Sequence, residues 1–519
     1  MERALISNSH NHKARALKAC ILRQTGRCDE ALAWIESSLE IDPFNYGCLY
    51  EKALISGESA DLERIDTLMH GNIENHHELA LDYAAAGQWE EARRILSHAL
   101  ETVAGANPMT CYYLGWACLH LGDEQEARRC CQEEVRKRSC DCCFPNRLED
   151  ILALESAKTL NRKEEASYPE TALAPYLLGC LYYDKRQYDV AVDNWELSAR
   201  LNPQFPTVWR NLALARFNKE GLKEEAVELM ERAFRLDKRD ARVLMELDQL
   251  YKVMQRPHRE RLAFLQKYPE SIAQRDDLVL EEITLLNQVG RWREALEKLD
   301  AHKFHPWEGG EGKVPAQYQI CRVELAKELL QRPDGCEEAV RLLTECLSYP
   351  AHLGEGKLYG AQDNDFHYLL ALAYERLGQK ELSHEHLLLA TEGPTEPAAA
   401  MYYNDAKPDK IFYAALAYRK LGDEARANSL CYKLVNYGRQ HLFDRITMDY
   451  FAVSLPDLLI WDGDLQQKNT VHCNLMMALG HFGLGQTEKA QGFLAEVEKL
   501  DCNHPVPPAL HTLLPLLNP

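Results

Sequence analysis

The chain has 519 residues, with 80 acidic against 60 basic side chains and a formal charge of -20. Such a surface repels phosphate backbones and gives no counterion-release drive, so nucleic acid is excluded as an expected partner. The opening MERALISNSHNHKARALKAC lacks a signal-peptide pattern and no run of roughly 18 uninterrupted apolar residues follows, which predicts a cytoplasmic location and no membrane partner.

The elements follow in chain order. Gly26, Ala31 and Pro43 fix a first complete helical pair over 12–45. Ala4 then falls on the second helix of a preceding pair, so residues 1–11 are expected to be the tail of a truncated repeat whose apolar edge an upstream domain or another chain covers. Residues 73–106 repeat the pattern with Leu79, Ala80, Tyr83, Gly87, Ala92 and Ala99, and the next pair does so with Leu114, Gly115, Gly122 and Ala127. The fullest copy, PYLLGCLYYDKRQYDVAVDNWELSARLNP, carries Leu178, Gly179, Tyr182, Ala191, Trp195 and Pro203. Trp209, Leu212, Ala213, Ala226 and Ala233 continue it, and a degenerate copy starts near Ala241. Later turns and crossings are marked by Gly290 with Ala295, Gly378 with Ala390, Gly422 with Ala427 and Gly485 with Ala490.

A period of about 34 residues, small side chains where two helices cross, a glycine in the turn and a proline after the second helix is the pattern of the tetratricopeptide repeat, and roughly eleven hairpins fit it. No segment alternates with the period of a strand for long enough to propose a sheet. The expected fold is an all-α solenoid of this type. Its expected divisions are the tail at 1–11, repeats at 12–145 and 146–300, a region with long loops at 301–365, and repeats at 366–519.

Two of those loops share the tetrapeptide Gly-Glu-Gly-Lys, at 310–313 and 354–357, each beginning 15 residues after a helix alanine, Ala295 or Ala339. Ala316-Gln317 and Ala361-Gln362 follow them, and His305-Pro306 and Pro350-Ala351-His352 precede them, which points to a duplicated loop on adjacent repeats. As a binding site, His305, Trp307, Glu308, Glu311, Lys313, His352, Glu355 and Lys357 would line one groove and offer carboxylates, cations and an aromatic face to a polar ligand. As a purely structural device, the glycines supply turns while Glu and Lys pair across the loops and brace the joint. A phosphate loop is excluded, because Val314 follows Lys313 and Trp307 stands where the first glycine is needed.

The 17 cysteines are an odd number. Cys20, Cys118, Cys131, Cys180 and Cys431 fall on apolar helical faces, as free thiols do in a reducing compartment. Cys130, Cys131, Cys140, Cys142 and Cys143 crowd together, but Cys140 and Cys143 make only half of a zinc pattern, so no metal and no cofactor is expected. In DYFAVSLPDLLIWDGDL, Asp449, Tyr450, Ser454, Asp457, Trp461 and Asp462 lie within reach of His441 or His472 in sequence. A hydrolytic triad needs a nucleophile on a constrained turn, whereas Phe451, Leu455, Leu458 and Leu459 have the spacing of a buried helical face. The remaining histidines, among them His70, His76, His77, His384, His386 and His504, show no H-E-x-x-H pairing.

Several irregular stretches, CFPNRLEDILAL, HKFHPWEGGEGKVPAQYQ, HLGEGKLYGAQDNDFHYLLALAYERLG, YYNDAKPDKIFYAALAYRKLG and HLFDRITMDYFAVSLPDLLIWDGDLQQKNTVHC, resemble a family of large bacterial tetratricopeptide-repeat proteins. Their N-terminal half is a domain of unknown function with an aldose-epimerase or galactose-mutarotase type of fold. The resemblance spans most of residues 140–505 and implies that this chain corresponds to the helical, C-terminal half of that family. No catalytic residue carries over. The expected function is therefore a non-catalytic scaffold that binds a protein partner or positions an upstream mutarotase-like domain. The alternative is the accessory half of a carbohydrate-active protein whose loops reach a sugar site.

Overall fold

A computed structural model describes residues 2–139, 143–162, 169–399, 407–447 and 460–517. Among them stand 28 α-helices and no strand. The fold is an all-α tetratricopeptide-type solenoid. Contacts divide the chain into two compact units, Met1–Ala215 and Arg216–Pro519, each taken by itself below.

The first unit pairs His12–Gln24 with Cys28–Leu39, Tyr46–Ser56 with Ser59–Leu68, Ile73–Ala85 with Trp89–Thr102, and Leu173–Asp184 with Tyr188–Leu201. Short polar side chains start these helices by accepting orphan backbone N–H groups: Asn11 from Ala14, Asn45 from Cys48 and Asn72 from Glu74. Asn107 and Thr110 form a reciprocal capping box before Pro108–His120. The small residues read as crossing points are crossing points. A Cβ on Gly179 would lie 2.3 Å from the Trp195 ring, and one on Gly115 would lie 2.5 Å from the Cys131 sulfur. Ala31, Ala99, Ala127 and Ala191 are fully buried. Glu51, equally buried, accepts from Arg23 at 2.6 Å and from the Tyr83 hydroxyl at 2.7 Å, so its charge is compensated inside the stack.

The turn glycines Gly26, Gly87, Gly122, Gly290, Gly378, Gly422 and Gly485 all have φ between 72° and 85°. In the fullest copy the same place is taken by Arg186, at φ 61°. A left-handed conformation at a residue with a Cβ is strained. Arg186→Gly is therefore expected to raise the stability of the intact chain by about 0.5–1 kcal/mol, relief of strain outweighing the added freedom of the unfolded state. A denaturation midpoint that stays put or falls would contradict this.

The cysteines of the crowded stretch fall at a π-helical turn, Cys130–Glu134, where Cys130 and Cys131 are buried, as is Cys143 beyond it. Burial pushes the Cys131 thiol up to about 12, which keeps it neutral and unreactive. Cys140 and Cys142 lie outside the described residues, as do Asp449 to Leu459 of the DYFAVSLPDLL stretch.

In the second unit, Ala241–Val253 pairs with His258–Leu265, Asp276–Gln288 with Trp292–Ala301, Lys313–Leu330 with Cys336–Glu345, Asn364–Arg376 with Lys380–Leu389, Pro408–Lys420 with Glu424–His441, and Leu465–Gly483 with Thr487–Leu500. The same crossing rule holds, with Ala226, Ala295, Ala339, Ala390, Ala427 and Ala490 fully buried. The helices 424–441 and 465–483 approach through glycine on both sides: a Cβ on Gly438 would lie 2.5 Å from the Cys473 carbonyl oxygen, and one on Gly480 would lie 2.6 Å from that of Cys431.

This unit closes on itself. The Trp461 indole N–H donates to the Glu246 carbonyl at 2.8 Å, and Asn218 brackets the same segment through Ile460 and Asp462. Asn503 accepts from Arg261 at 2.9 Å and donates to the Lys252 carbonyl, while its own carbonyl accepts from Gln288 at 2.9 Å. The last helix, Val506–Leu517, lies against Lys313–Leu330: Lys327 donates to the Ala509 carbonyl at 2.9 Å, and the Thr512 hydroxyl donates to Glu324 at 2.6 Å. The face of this first helix is partly occupied by the chain's own last helix.

Candidate functional site

The returning segment leaves a chamber of about 1010 Å³ inside the second unit. Its wall is made by first helices of successive hairpins, through Asn287 and Gln288, Gln317 and Val323, Phe366, Lys410 and Tyr413, and His472. The loop 355–363 and residues 504–512 complete it. These helices turn the same face inward because each repeats the hairpin before it. Residues a turn apart on one helix therefore sit beside their counterparts on the next.

The wall is polar in an uneven way. Lys410 forms an ion pair with Asp365 and stands 4.7 Å over the Phe366 ring. Burial works against the Lys410 ammonium, but Asp365 and Asp409 outweigh it and hold its pKa above the ordinary lysine value. Burial also pushes the Asp409 carboxyl up, with Lys410 opposing. Asp363 accepts from Lys357 at 2.6 Å through one oxygen, while the other is buried with no hydrogen-bond partner. Asn287 donates to Gln317 at 2.9 Å and Gln288 to the Asn503 carbonyl, and in both amides the buried oxygen is left without a partner. Gln362 accepts from the Lys407 backbone, and its amide nitrogen is likewise unpartnered.

The two Gly-Glu-Gly-Lys loops meet. Glu355 of the second accepts from the Gly312 N–H of the first at 2.7 Å, and the Phe304 N–H donates to the His352 carbonyl at 2.8 Å. Gly354, at φ 76°, passes so close that a Cβ would lie 2.7 Å from the Phe304 carbonyl oxygen. Burial raises the Glu355 carboxyl above its ordinary value, against the pull of the Gly312 N–H. Of the eight loop residues, Glu355 is the one on the chamber wall. His305 instead binds Asp276 through its backbone and its ring, and His302 binds the same carboxylate at 2.8 Å. The Trp307 ring lies on Gly310, Glu308 and Glu311 are exposed, and Lys357 is held by Asp363 and the Leu347 carbonyl. Lys313 is half-buried at the start of its helix, and the His352 ring is half-buried with its edge toward Tyr318.

His504, on the chamber wall, has its pKa lowered to about 4 by burial and by His472, against Asp501. Burial also lowers His258, His367, His386 and His481 within this unit. A histidine whose folded pKa is depressed takes up its proton in the unfolded state first, so stability falls as pH drops from about 6.5 toward the folded pKa. Thermal unfolding of the intact chain is expected to shift down steadily between pH 6.5 and about 4, and less steeply in His504→Gln. Parallel curves for the two proteins would contradict the assignment to His504.

A family model described as tetratricopeptide repeat matches residues 77–139 and 176–241, and a second of the same description matches 12–45. These stretches are tetratricopeptide repeats. Among solved structures, MamA from Desulfovibrio magneticus RS-1 is 19% identical over 39% of this chain and 96% of its own, with a TM-score of 0.23. YrrB, described as a TPR protein with an unusual peptide-binding site, is 15% identical over 46% of this chain and 92% of its own, with a TM-score of 0.17. A structure of Naa15/Naa10 bound to HypK-THB is 13% identical over 99% of this chain and 92% of that one, with a TM-score of 0.23. At such identities and scores the likeness says nothing about function.

Proposed function

We propose that the chain is a non-catalytic scaffold that binds a protein partner through its helical repeats, and that the chamber of the second unit is where the partner is held. The observation that carries this reading is the chamber itself, about 1010 Å³ with a wall that mixes polar and aromatic side chains, among them Gln317, Asp409, Lys410, Trp292 and Tyr413. Glu355 joins the chamber from the paired loops, which in this reading set its rim: His305 and Lys357 anchor the loops, and Trp307, Glu308, Glu311, Lys313 and His352 belong to the same two loops. A mutarotase-like domain of the kind the resemblance implies is one candidate partner. The carbohydrate alternative draws on the same wall, where amide and carboxylate groups stand near Trp292 and Tyr349.

Gly356 and Gly360 line the chamber, and a Cβ at either meets open space. Gly356→Trp and Gly360→Trp therefore place a large side chain at the chamber wall, on a loop and clear of the helices. Affinity capture from an extract of the source cells should retain a defined partner on the wild-type chain and lose it on both filled variants, with circular dichroism unchanged. Equal retention on all three would place the partner elsewhere and overturn the reading.

A further inference from the structure

We infer that the helix Val506–Leu517 covers a docking seat for a partner protein's helix, and that a partner helix carrying the same stripe of leucines takes its place. The inference rests on the second unit being the one that binds a partner, and it deepens that reading by giving the partner's contact a shape.

The helix is ordered by its seat and not by itself. Twelve residues form too few hydrogen bonds to offset the cost of starting an isolated helix, and Pro515 inside it brings no N–H to the His511 carbonyl. VPPALHTLLPLL carries no carboxylate, ammonium or guanidinium, and its one side-chain tie to a neighbouring charge at the exposed edge is His511 to Glu498 at 3.0 Å. What holds it is a stripe spaced by three, Leu510, Leu513 and Leu516, all buried. These leucines share one apolar cluster with Val323 and Leu330 of the helix Lys313–Leu330 and with Leu494 and Val497 of the helix Thr487–Leu500. A surface that receives this stripe from its own chain can receive the same stripe from another.

The polar part of the seat is suited to being uncovered. Lys327, 1% exposed, donates to the Ala509 carbonyl at 2.9 Å and to the Thr512 hydroxyl at 3.3 Å, and that hydroxyl donates to Glu324 at 2.6 Å. Lys327 and Glu324 also bind each other at 2.7 Å, so departure of the helix leaves a complete ion pair in water and strands no charge. Under a permanent cover, an apolar pair of similar volume would serve as well or better than buried ions. A face that meets water part of the time needs groups that water tolerates. Val506, Pro508 and Ala509 also line the chamber, so the same departure opens its side.

The probe is a fluorescent synthetic peptide of residues 504–517, read by anisotropy against the intact chain. Leu510→Ser/Leu513→Ser in the chain unseats the helix and leaves the seat unchanged, and this variant should bind the peptide at one site. Wild type should bind it there at least about tenfold more weakly, because its own helix competes. A peptide with alanine or glutamine everywhere except Leu510, Thr512, Leu513 and Leu516 should bind the unseated chain as well as the native one does, because the stripe and the hydroxyl are what the seat reads. Serine at the three leucines should abolish binding, and Thr512→Val in the peptide should weaken it about tenfold. If the double variant loses helix content, a protease site inserted at the exposed Pro505 of an otherwise wild-type chain frees the helix after folding and gives the same open seat.

No peptide binding after either change, equal binding by wild type and the unseated chain, or binding indifferent to the leucines would overturn the inference. A wild type that takes up no peptide at any concentration would make the helix a fixed cap, with the same consequence. Wild-type dimers that the peptide dissolves would assign the seat to the helix of a second copy and remove the partner. The chamber reading fails separately. Peptide binding here, with the captured partner retained on Gly356→Trp, would remove the chamber and keep the seat, whereas loss of the partner there with no peptide binding would do the reverse.

Discussion

Arg261→Ala is expected to destabilise the second unit by about 3–5 kcal/mol, because it leaves the buried Asp248 without its cation and takes from Glu281 the nearer of its two, Lys252 remaining at 3.8 Å. Arg261 binds Asp248 at 2.6 Å and Glu281 at 2.6 Å, and the side chains of Arg261 and Asp248 have no exposure at all. Burial raises the Asp248 carboxyl, the Glu281 charge adds to that, and Arg261 is the chief force against it. The third partner is the Asn503 side chain, so the same substitution also removes a bond that seats the returning segment. Equilibrium denaturation of the intact chain, followed by far-UV circular dichroism, measures the loss. A change below about 1 kcal/mol would mean that water reaches the site and that the ion pair has the modest worth of an exposed one.

Trp461→Ala is expected to cost a similar amount, about 3–5 kcal/mol, by emptying the space of a large buried ring. Trp461 is 1% exposed, meets Phe217 edge to face at 5.2 Å, and donates to the Glu246 carbonyl. Trp461→Phe should fall between wild type and the alanine variant, since it keeps the ring contact and loses the hydrogen bond. If alanine at this position changes the denaturation midpoint no more than phenylalanine does, the segment is not anchored there.

What could be read from the sequence was what depends on neighbours in sequence. A turn glycine such as Gly87 must adopt a left-handed conformation, and a crossing residue such as Ala99 must be small. Both requirements recur at a fixed interval, so they are visible without coordinates. The compact hairpin Tyr46–Ser56 and Ser59–Leu68 was harder to see, because its helices are separated only by Gly57 and Glu58 and its pair is shorter than the repeat. Arg186 and Gln255 take the left-handed turn with no glycine to announce it.

The duplicated loops were legible as a pair, and Glu355 with Gly312 shows how one meets the other. The chamber was not legible, for a different reason. Its polar groups stand on helices as Asn287, Gln288 and Asp409, where each reads as an ordinary solvated position. They are enclosed only because residues around Asn503 and Thr512 return to helices far earlier in the chain. A contact across so many residues leaves no local period. The available signal was the interruption of an apolar face: Lys327 sits between the buried Val323 and Leu330.

The closure of the second unit around its chamber is the claim on which the site depends, and a cross-link tests it most directly. Cys502 donates through its N–H to the Gln255 side chain at 2.8 Å, and its sulfur lies 3.9 Å from the Gln255 carbonyl oxygen. In Gln255→Cys, mild oxidation should join position 255 to Cys502 within one chain, quickly and nearly completely, as read by peptide mass spectrometry. A control thiol placed at the exposed Lys267 should not join. No faster linkage at 255 than at 267, or linkage found only between chains, would show that the returning segment does not seat there and that the chamber is not closed.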